Sequence, residues 1–284
     1  MWIRTIKIIS LLCLFLLGGC QSVKLSEKHY LLPDKPITQK ALDSKGFNQK
    51  LTYLTLQASD GNQLGGIAVI QPNAKFTTLY FGGNQTRIKQ VGDTLVKHLS
   101  GFDNNLVAFD HRGYGLSHGE PTIEKLKSDA QAVFDFIKAQ PDLNNLPIVV
   151  HGLSLGSMIA ADLAQNRDID GLVLEGSTTT VNDMLDEVIP VLVKPFIDVE
   201  IGSNLTAIDN SKILAKNTKP LLIVVGEKDY VTPIELSKKL YQVSISDKKS
   251  LLIVDDKKHG NATDSQQFKT AFMAFTETLL TDKE

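Results

Sequence analysis

The chain has 284 residues, of which 42% are hydrophobic and 22% are charged, and its formal net charge at pH 7 is −2. This length is enough for one α/β domain with a large buried core. The near-neutral charge argues against a nucleic-acid partner, which would need a basic surface, and no Cys-x-x-Cys motif or histidine-rich cluster in the sequence predicts a metal site. We therefore expect no metal and no cofactor.

Residues 1–19 have the features of a targeting peptide rather than of a folded element. Two basic residues precede an apolar run at 8–17 that is too short for an ordinary membrane-spanning helix. The run ends in Leu-Gly-Gly followed by Cys20, which resembles the lipobox of bacterial lipoproteins. The resemblance implies cleavage before Cys20, a lipid on its thiol and anchoring to a membrane of the bacterial cell envelope, the outer membrane being favoured if the cell is Gram-negative. An uncleaved N-terminal anchor is the alternative.

Residues 20–48 then form an expected tether and lead-in segment, and residues 49–284 form the expected domain. Alternating residues near 51–56 and 64–70 predict an antiparallel hairpin at its start. Apolar runs predict parallel strands near 76–81, 105–109, 147–151, 171–175, 220–225 and 250–254. Helical spacing and capping residues predict helices near 87–100, 122–139, 155–166, 233–243 and 264–280. This alternation indicates an α/β fold with a mostly parallel central sheet.

Residues 152–156 read Gly-Leu-Ser-Leu-Gly, between a β-branched apolar strand and a helix. This strand, sharp turn and helix are typical of a nucleophile elbow, with Ser154 as the nucleophile. The flanking glycines are needed because side chains there would collide with the neighbouring strand and helix. The turn also places the serine hydroxyl at the start of a helix, where free backbone N–H groups can stabilise an oxyanion.

An acid and a base follow Ser154 in the order that this geometry requires. Asp229 lies in the loop after the strand near 220–225, and His259 follows the strand near 250–254. The carboxyl ends of parallel strands meet at one edge of a sheet, where ligands bind. We therefore expect Ser154 as nucleophile, His259 as general base and acid, and Asp229 as the group that orients the imidazolium.

Three other carboxylates could compete with Asp229 for this role. Glu175 ends the strand near 171–175, a position that holds the acid in some related folds, but we expect it to be a structural hydrogen-bonding group. Asp255 and Asp256 lie too close to His259 in the chain, and we expect them to be solvated loop residues. Asp229 itself has an alternative interpretation as a simple turn former, since aspartate is common in turns.

Several motifs in register resemble the α/β-hydrolase superfamily, especially its small bacterial serine hydrolases. Besides the elbow, these motifs are the Gly-Gly-Asn turn at 82–84, the Asp-x-Arg-Gly segment at 110–117 and the acid loop at 226–233. The resemblance covers roughly residues 50–280. It implies the α/β-hydrolase fold, with a mostly parallel sheet, helices on both faces and a short helical lid insertion.

The resemblance also implies an oxyanion hole made of two backbone N–H groups. Leu155 supplies one, and Asn84 supplies the other, with Gly83 as the less favoured choice. The family has a histidine where this chain has Gly82. Because the donor is a backbone N–H, the function survives this change, but the rigidity of the loop comes into question.

Residues 178–217 form an unusually long connection between two strands, at the position of the lid in this superfamily. Its apolar residues recur at helical spacing, and Pro190 and Pro195 interrupt the run. They are Met184, Leu185, Val188, Ile189, Leu192, Val193, Phe196 and Ile197. The functional interpretation is an apolar wall over the serine, the alternative is ordinary packing on the core, and a membrane-facing lid is a third possibility.

These features predict a lipid-anchored serine hydrolase that cleaves an ester, or else a thioester or an amide, through an acyl-enzyme on Ser154. The expected partners are a small-molecule acyl substrate and the membrane. A carboxylesterase is preferred because short esters demand least of the pocket. A serine peptidase or acyltransferase on the same fold is the first alternative, and a non-catalytic envelope lipoprotein is the second.

Overall fold

The computed structural model describes residues 21–43, 51–141, 143 and 145–280. The predicted targeting segment and Cys20 lie outside the described residues, as do residues 44–48 of the lead-in segment. In the part of the chain that is described, no helix combines the length and the apolar character needed to cross a bilayer.

The described residues form strands and helices at nearly all of the predicted positions. The strands are β1 (Gln21–Leu25), β2 (Thr52–Gln57), β3 (Gln63–Val69), β4 (Phe76–Phe81), β5 (Asn104–Phe109), β6 (Ile148–Leu153), β7 (Gly171–Glu175), β8 (Ile197–Ile201), β9 (Leu221–Gly226) and β10 (Lys249–Val254). The α-helices are α1 (Glu27–Tyr30), α2 (Gln39–Asp43), α3 (Ile88–Leu99), α4 (Ile123–Lys138), α5 (Leu155–Asn166), α6 (Val181–Val188), α7 (Ser203–Thr206), α8 (Asn210–Leu214), α9 (Ile234–Val243) and α10 (Gln266–Leu280). Short 3-10 helices cover Lys194–Phe196 and Ala262–Asp264.

Eight strands form the central sheet, in the order β10-β9-β7-β6-β4-β5-β3-β2. The hairpin of β2 and β3 is antiparallel, and β3 also runs antiparallel to β5, whereas the other pairings are parallel. The predicted mostly parallel sheet is therefore confirmed. Because β6, β7, β9 and β10 are parallel, the loops that follow them all leave the same edge of the sheet.

Helices cover both faces of this sheet, which explains why its inner strands are apolar on both sides. Neighbouring residues alternate between the two faces, so that Leu79 packs in one core cluster and Tyr80 in the other. The first cluster takes side chains from α4, α5, α8 and α9, and the second takes them from α3 and α10. The apolar face predicted for α4 is buried in the first cluster: Ile123, Leu126, Ala130, Val133, Phe134 and Ile137.

Residues 21–43, which we expected to form part of a tether, pack against the domain instead. β1 pairs with β8 in a separate two-stranded parallel sheet. Leu31 and Leu42 are buried in the two core clusters, and the backbone N–H of Asp34 donates to Gly113 O at 2.9 Å. Burial of apolar side chains and a strand partner hold this segment in place, whereas a tether would have neither.

The insertion at 178–217 also differs from the predicted kinked helix. α6 ends at Val188, and residues 197–201 form strand β8 rather than a helical turn. Pro190 explains the end of the helix, because proline has no N–H to continue the ladder and disfavours helical backbone at the preceding residue. In β8 the half-buried and exposed positions alternate, which is the period of a strand.

Candidate active site

Ser154 occupies a strained turn between β6 and α5. Its backbone has φ 54° and ψ −115°, a conformation that few residues other than glycine adopt. A Cβ atom on Gly152 would lie 2.2 Å from Gly156 O, and one on Gly156 would lie 2.0 Å from Phe81 O. Glycine is therefore the only residue that fits at either flank, as the nucleophile elbow requires.

Asp229 and His259 form a close, partly buried pair. His259 Nδ1 donates a hydrogen bond of 2.7 Å to Asp229 Oδ2. The other carboxylate oxygen accepts from the backbone N–H groups of Val231 and Thr232 at 2.9 and 2.8 Å, and Thr232 Oγ1 donates to Oδ2 at 2.9 Å. Burial raises the pKa of Asp229, but the hydrogen bond and charge of His259, with the Thr232 donors, outweigh it and hold the pKa below its ordinary value. Asp229 is therefore ionised at neutral pH.

The His259 ring lies at the same edge of the sheet as Ser154. It packs against Gly176, where a Cβ atom would approach the ring to 2.9 Å. The backbone carbonyl of the residue before it, Glu175, accepts a 2.9 Å hydrogen bond from the backbone N–H of Ser154. No hydrogen bond joins the serine hydroxyl to the ring among the described residues, and in enzymes without substrate this bond commonly tightens only on binding.

The rival carboxylates have other partners in the structure. Glu175 is buried, and its two oxygens accept from His151 Nε2 at 3.2 Å and from the backbone N–H of Ala262 at 3.3 Å. Asp255 accepts from Gln267, and Asp256 pairs with Lys228. The Glu175 carboxylate therefore has buried structural partners, and Asp229 is the carboxylate that contacts the His259 ring.

The loop at 82–87, which we call the oxyanion loop, lies against the serine. A Cβ atom on Gly83 would lie 3.4 Å from Ser154 Cβ. The N–H of Gly83 is already engaged, since it donates to Thr86 Oγ1 at 2.9 Å. Within the described residues, the N–H groups of Asn84 and Leu155 have no hydrogen-bond acceptor. This difference favours Asn84 over Gly83 as the partner of Leu155 in an oxyanion hole.

His111 supports this loop at Gly82. Its Nε2 atom donates to Gly82 O at 2.7 Å. Burial lowers the pKa of His111 to about 4, so the ring is neutral at pH 7 and carries its proton on the nitrogen that faces the carbonyl. A side chain at position 82 would also collide with Thr86, since a Cβ atom there would lie 2.5 Å from its methyl carbon.

Arg87 joins the oxyanion loop to the N-terminal segment. Its guanidinium is buried and donates to Asn84 O and Thr86 O, both at 3.0 Å. It also donates to Asp34 Oδ2 at 2.9 Å and to Leu32 O at 2.5 Å. A planar guanidinium can satisfy all of these acceptors at once, which a lysine cannot do.

The side chain of Asn84 makes a second link to the same segment. Its Oδ1 atom accepts from the Leu32 N–H at 3.0 Å and from the Tyr114 hydroxyl at 2.7 Å, and its Nδ2 atom donates to Tyr30 O. The side chain therefore fixes the orientation of its own backbone N–H. The sequence patterns gave no indication of these contacts of Arg87, His111 and Asn84.

The described residues contain no group of three or more His, Cys, Asp or Glu side chains that could hold a metal ion. What the arrangement offers is a serine at a helix start, a histidine oriented by an ionised aspartate, and two free N–H donors. Such a set can carry out acyl transfer through a serine ester.

Comparison with known proteins finds similarity to proteins described as α/β hydrolases and to an esterase. Residues 79–206 match the family model described as serine aminopeptidase, S33. The protein is 31% identical over 197 residues to protein bem46 of Schizosaccharomyces pombe, and this match covers 66% of the chain and 64% of that protein, less than two thirds of its length. It is 25% identical over 241 residues to the human alpha/beta hydrolase domain-containing protein 17B, with 78% of this chain and 80% of that protein covered.

Among solved structures, an esterase of Pyrococcus furiosus superimposes with a TM-score of 0.63 at 19% sequence identity. The superposition covers 87% of this chain and 98% of the esterase. Identity at this level supports a shared architecture rather than a shared substrate. The chain thus has the α/β-hydrolase fold.

Proposed function

We propose that this protein is a serine hydrolase that cleaves ester bonds of small acyl substrates. The observation that carries the proposal is the 2.7 Å hydrogen bond from His259 to Asp229 at the sheet edge that also holds Ser154. The strained backbone of Ser154 gives further support, since strain of this kind is concentrated at functional sites.

The reaction would proceed through an acyl-enzyme. Ser154 Oγ attacks the carbonyl carbon while His259 takes the hydroxyl proton, and the N–H groups of Leu155 and Asn84 bind the oxyanion. Collapse breaks the ester bond, and His259 returns the proton to the leaving alcohol. A water molecule, deprotonated by His259, then attacks the acyl-enzyme, and His259 returns this proton to Ser154 Oγ as the acyl–oxygen bond breaks and the acid is released.

An ester is the preferred substrate because its alkoxide leaves readily and a short acyl group needs little binding surface. Fold similarity to an esterase agrees with this choice, but folds host many activities. The name of the matched family, serine aminopeptidase, supports a peptidase as the alternative. A thioester substrate and transfer of the acyl group to an acceptor other than water use the same groups.

A panel of p-nitrophenyl esters of increasing chain length, run beside aminoacyl-amides, separates these activities. We expect turnover of the short esters and little release from the amides, with a Ser154→Ala variant as the inactive control. Preferential cleavage of the amides would instead establish the peptidase. If a fluorophosphonate probe does not label the wild-type protein, the serine is not activated and the non-catalytic alternative holds.

We also propose that the protein is anchored to a membrane of the bacterial cell envelope through a lipid on Cys20. The support is the sequence of residues 1–20, with its basic start, its apolar run and Cys20 at the end. Two or more acyl chains would bury enough methylene groups, at about 0.8 kcal/mol each, for stable anchoring. Incorporation of labelled palmitate into the wild-type protein, and its loss in Cys20→Ser, tests this.

A further inference from the structure

Beyond the end of α6, three large apolar side chains of the insertion project into solvent. Val191, Leu192 and Phe196 have 78%, 86% and 59% of their surface exposed. They lie between α6 and β8, around Pro190 and the short 3-10 helix, and we call them the apolar tip. Isolated apolar residues are common at protein surfaces, but a cluster exposed to this degree indicates an interaction surface.

The N-terminal strand brings the start of the described chain to this tip. β1 and β8 are parallel, and the register pairs Gln21 with Ile197. Ile197 directly follows Phe196, so the described chain begins beside the tip. That preceding chain consists of residues 1–20 and contains the apolar run at 8–17. The proposed attachment, by a lipid on Cys20 or by a retained anchor, would therefore be close in the chain to a residue that lies beside Phe196.

Two lysines near the tip are already paired with carboxylates, which favours an apolar contact over an electrostatic one. Lys24 of β1 pairs with Glu200 of β8 at 3.1 Å, and Lys194 pairs with Asp186 at 3.1 Å. Paired lysines attract anionic lipid headgroups weakly, because the neighbouring carboxylate offsets their charge. The apolar side chains are then the groups at this end of the molecule that gain from contact with a bilayer.

We propose that the apolar tip inserts into the bilayer interface and fixes the orientation of the domain on the membrane. This inference rests on the proposed membrane attachment. The anchor alone would leave the domain free to rotate, and the tip adds a second point of contact. Lys239 of α9 pairs with Glu187 of α6 at 3.0 Å, which joins the insertion to the helix that follows the acid loop. Insertion of the tip would then set the position of the active site relative to the bilayer.

Tryptophan fluorescence of the full-length protein in phosphatidylcholine vesicles tests the proposal. The only tryptophan of the sequence, Trp2, is first replaced by phenylalanine. Leu192→Trp in this background places the only indole on the tip. Ile70→Trp is the matched control, because Ile70 is also exposed but lies far from the insertion. It follows β3, where Val69 pairs with Leu106 near the amino ends of the parallel strands, whereas the insertion follows the carboxyl end of β7.

We expect the emission of Leu192→Trp to shift to shorter wavelength when vesicles are present. Lipids brominated on the acyl chains should quench this emission, and the quenching should persist at high salt. The emission of Ile70→Trp should not change. Equal intensity of Leu192→Trp in brominated and plain vesicles would overturn the proposal, and so would quenching that high salt abolishes. If the protein fails to float with the vesicles, both the attachment and the insertion are refuted. Ester turnover in the same samples separates these results from the catalytic proposal, which fails only if turnover is absent.

Discussion

Arg87 Nε donates a 2.9 Å hydrogen bond to Asp34 Oδ2, and this ion pair, in which the guanidinium is buried and the carboxylate is exposed, connects the oxyanion loop to the N-terminal segment. The two residues are 53 positions apart in the chain. The same guanidinium holds two carbonyl groups of the loop. The loop that presents the Asn84 N–H is thus held by a segment that lies outside the expected domain.

Asp34→Asn should reduce kcat by about 10- to 100-fold with little change in KM. The reason is that a small displacement of the oxyanion donor weakens binding of the transition state more than binding of the substrate. Asp135→Asn is the control, because it breaks another aspartate–arginine pair, in which the guanidinium of Arg167 is more exposed than that of Arg87 and holds no part of the oxyanion loop. Equal losses of kcat in the two variants would show that Asp34 has no positioning role.

Ser154→Ala should abolish ester turnover and labelling by a fluorophosphonate probe. Its melting temperature should stay close to that of the wild type, because only a half-exposed hydroxyl is removed. Probe labelling and thermal denaturation of the two proteins, measured side by side, provide the check. Labelling that persists in the variant would move the nucleophile to another residue.

Asp229→Asn should lower kcat by about 10³- to 10⁴-fold, because the imidazolium loses its charged partner and the ring adopts the wrong tautomer. Glu175→Gln should keep much more of the activity, since Glu175 contacts His151 and the Ala262 N–H rather than His259. Steady-state kinetics of both variants compare the two carboxylates. A larger loss of kcat in Glu175→Gln than in Asp229→Asn would mean that Glu175, at the end of β7, is the acid of the triad.

His111→Gln should make the stability of the protein less sensitive to acid. Burial lowers the pKa of His111 to about 4, so between its ordinary pKa and this value the unfolded chain binds the extra proton, and stability falls as the pH falls. The contribution reaches at most about 3 kcal/mol. Glutamine keeps an N–H donor for Gly82 O but does not titrate.

Denaturation of the wild type and His111→Gln at pH 7 and pH 4.5 measures this difference. Comparison of the two proteins is necessary because burial raises the pKa of Asp110 to about 7, which gives the opposite slope over the same range. The difference between the proteins cancels the Asp110 contribution. Identical pH dependence in both would mean that the pKa of His111 does not differ between the folded and the unfolded chain, which contradicts the prediction.

Cys20→Ser should block lipid attachment and leave an unprocessed precursor, without loss of turnover on soluble short esters. Cys20 has no part in the proposed chemistry, so its replacement changes location alone. Labelled palmitate and the mass of the purified protein report the modification. A wild-type protein that carries no lipid and keeps residues 1–19 would support the uncleaved anchor.

The order of the strands and helices, the turn at Ser154 and the placement of Asp229 and His259 in loops at the same edge of the sheet could be predicted from the sequence. These features depend on short-range patterns. A buried parallel strand is a run of apolar residues, and α4 shows its buried face in its spacing. The strained turn at Ser154 requires glycines within two residues on either side, so it too is visible locally.

Tertiary structure alone decided how the N-terminal segment and the oxyanion loop are supported. The hydrogen bond of His111 to Gly82 spans 29 positions, and strand β8 depends on pairing with β1 from the start of the described chain. Hydrogen bonds of this kind form between groups that only the fold brings together, and no residue spacing encodes them. Apolar spacing in the insertion predicted a helix because it is a local signal, whereas a strand needs a partner that a local signal does not contain.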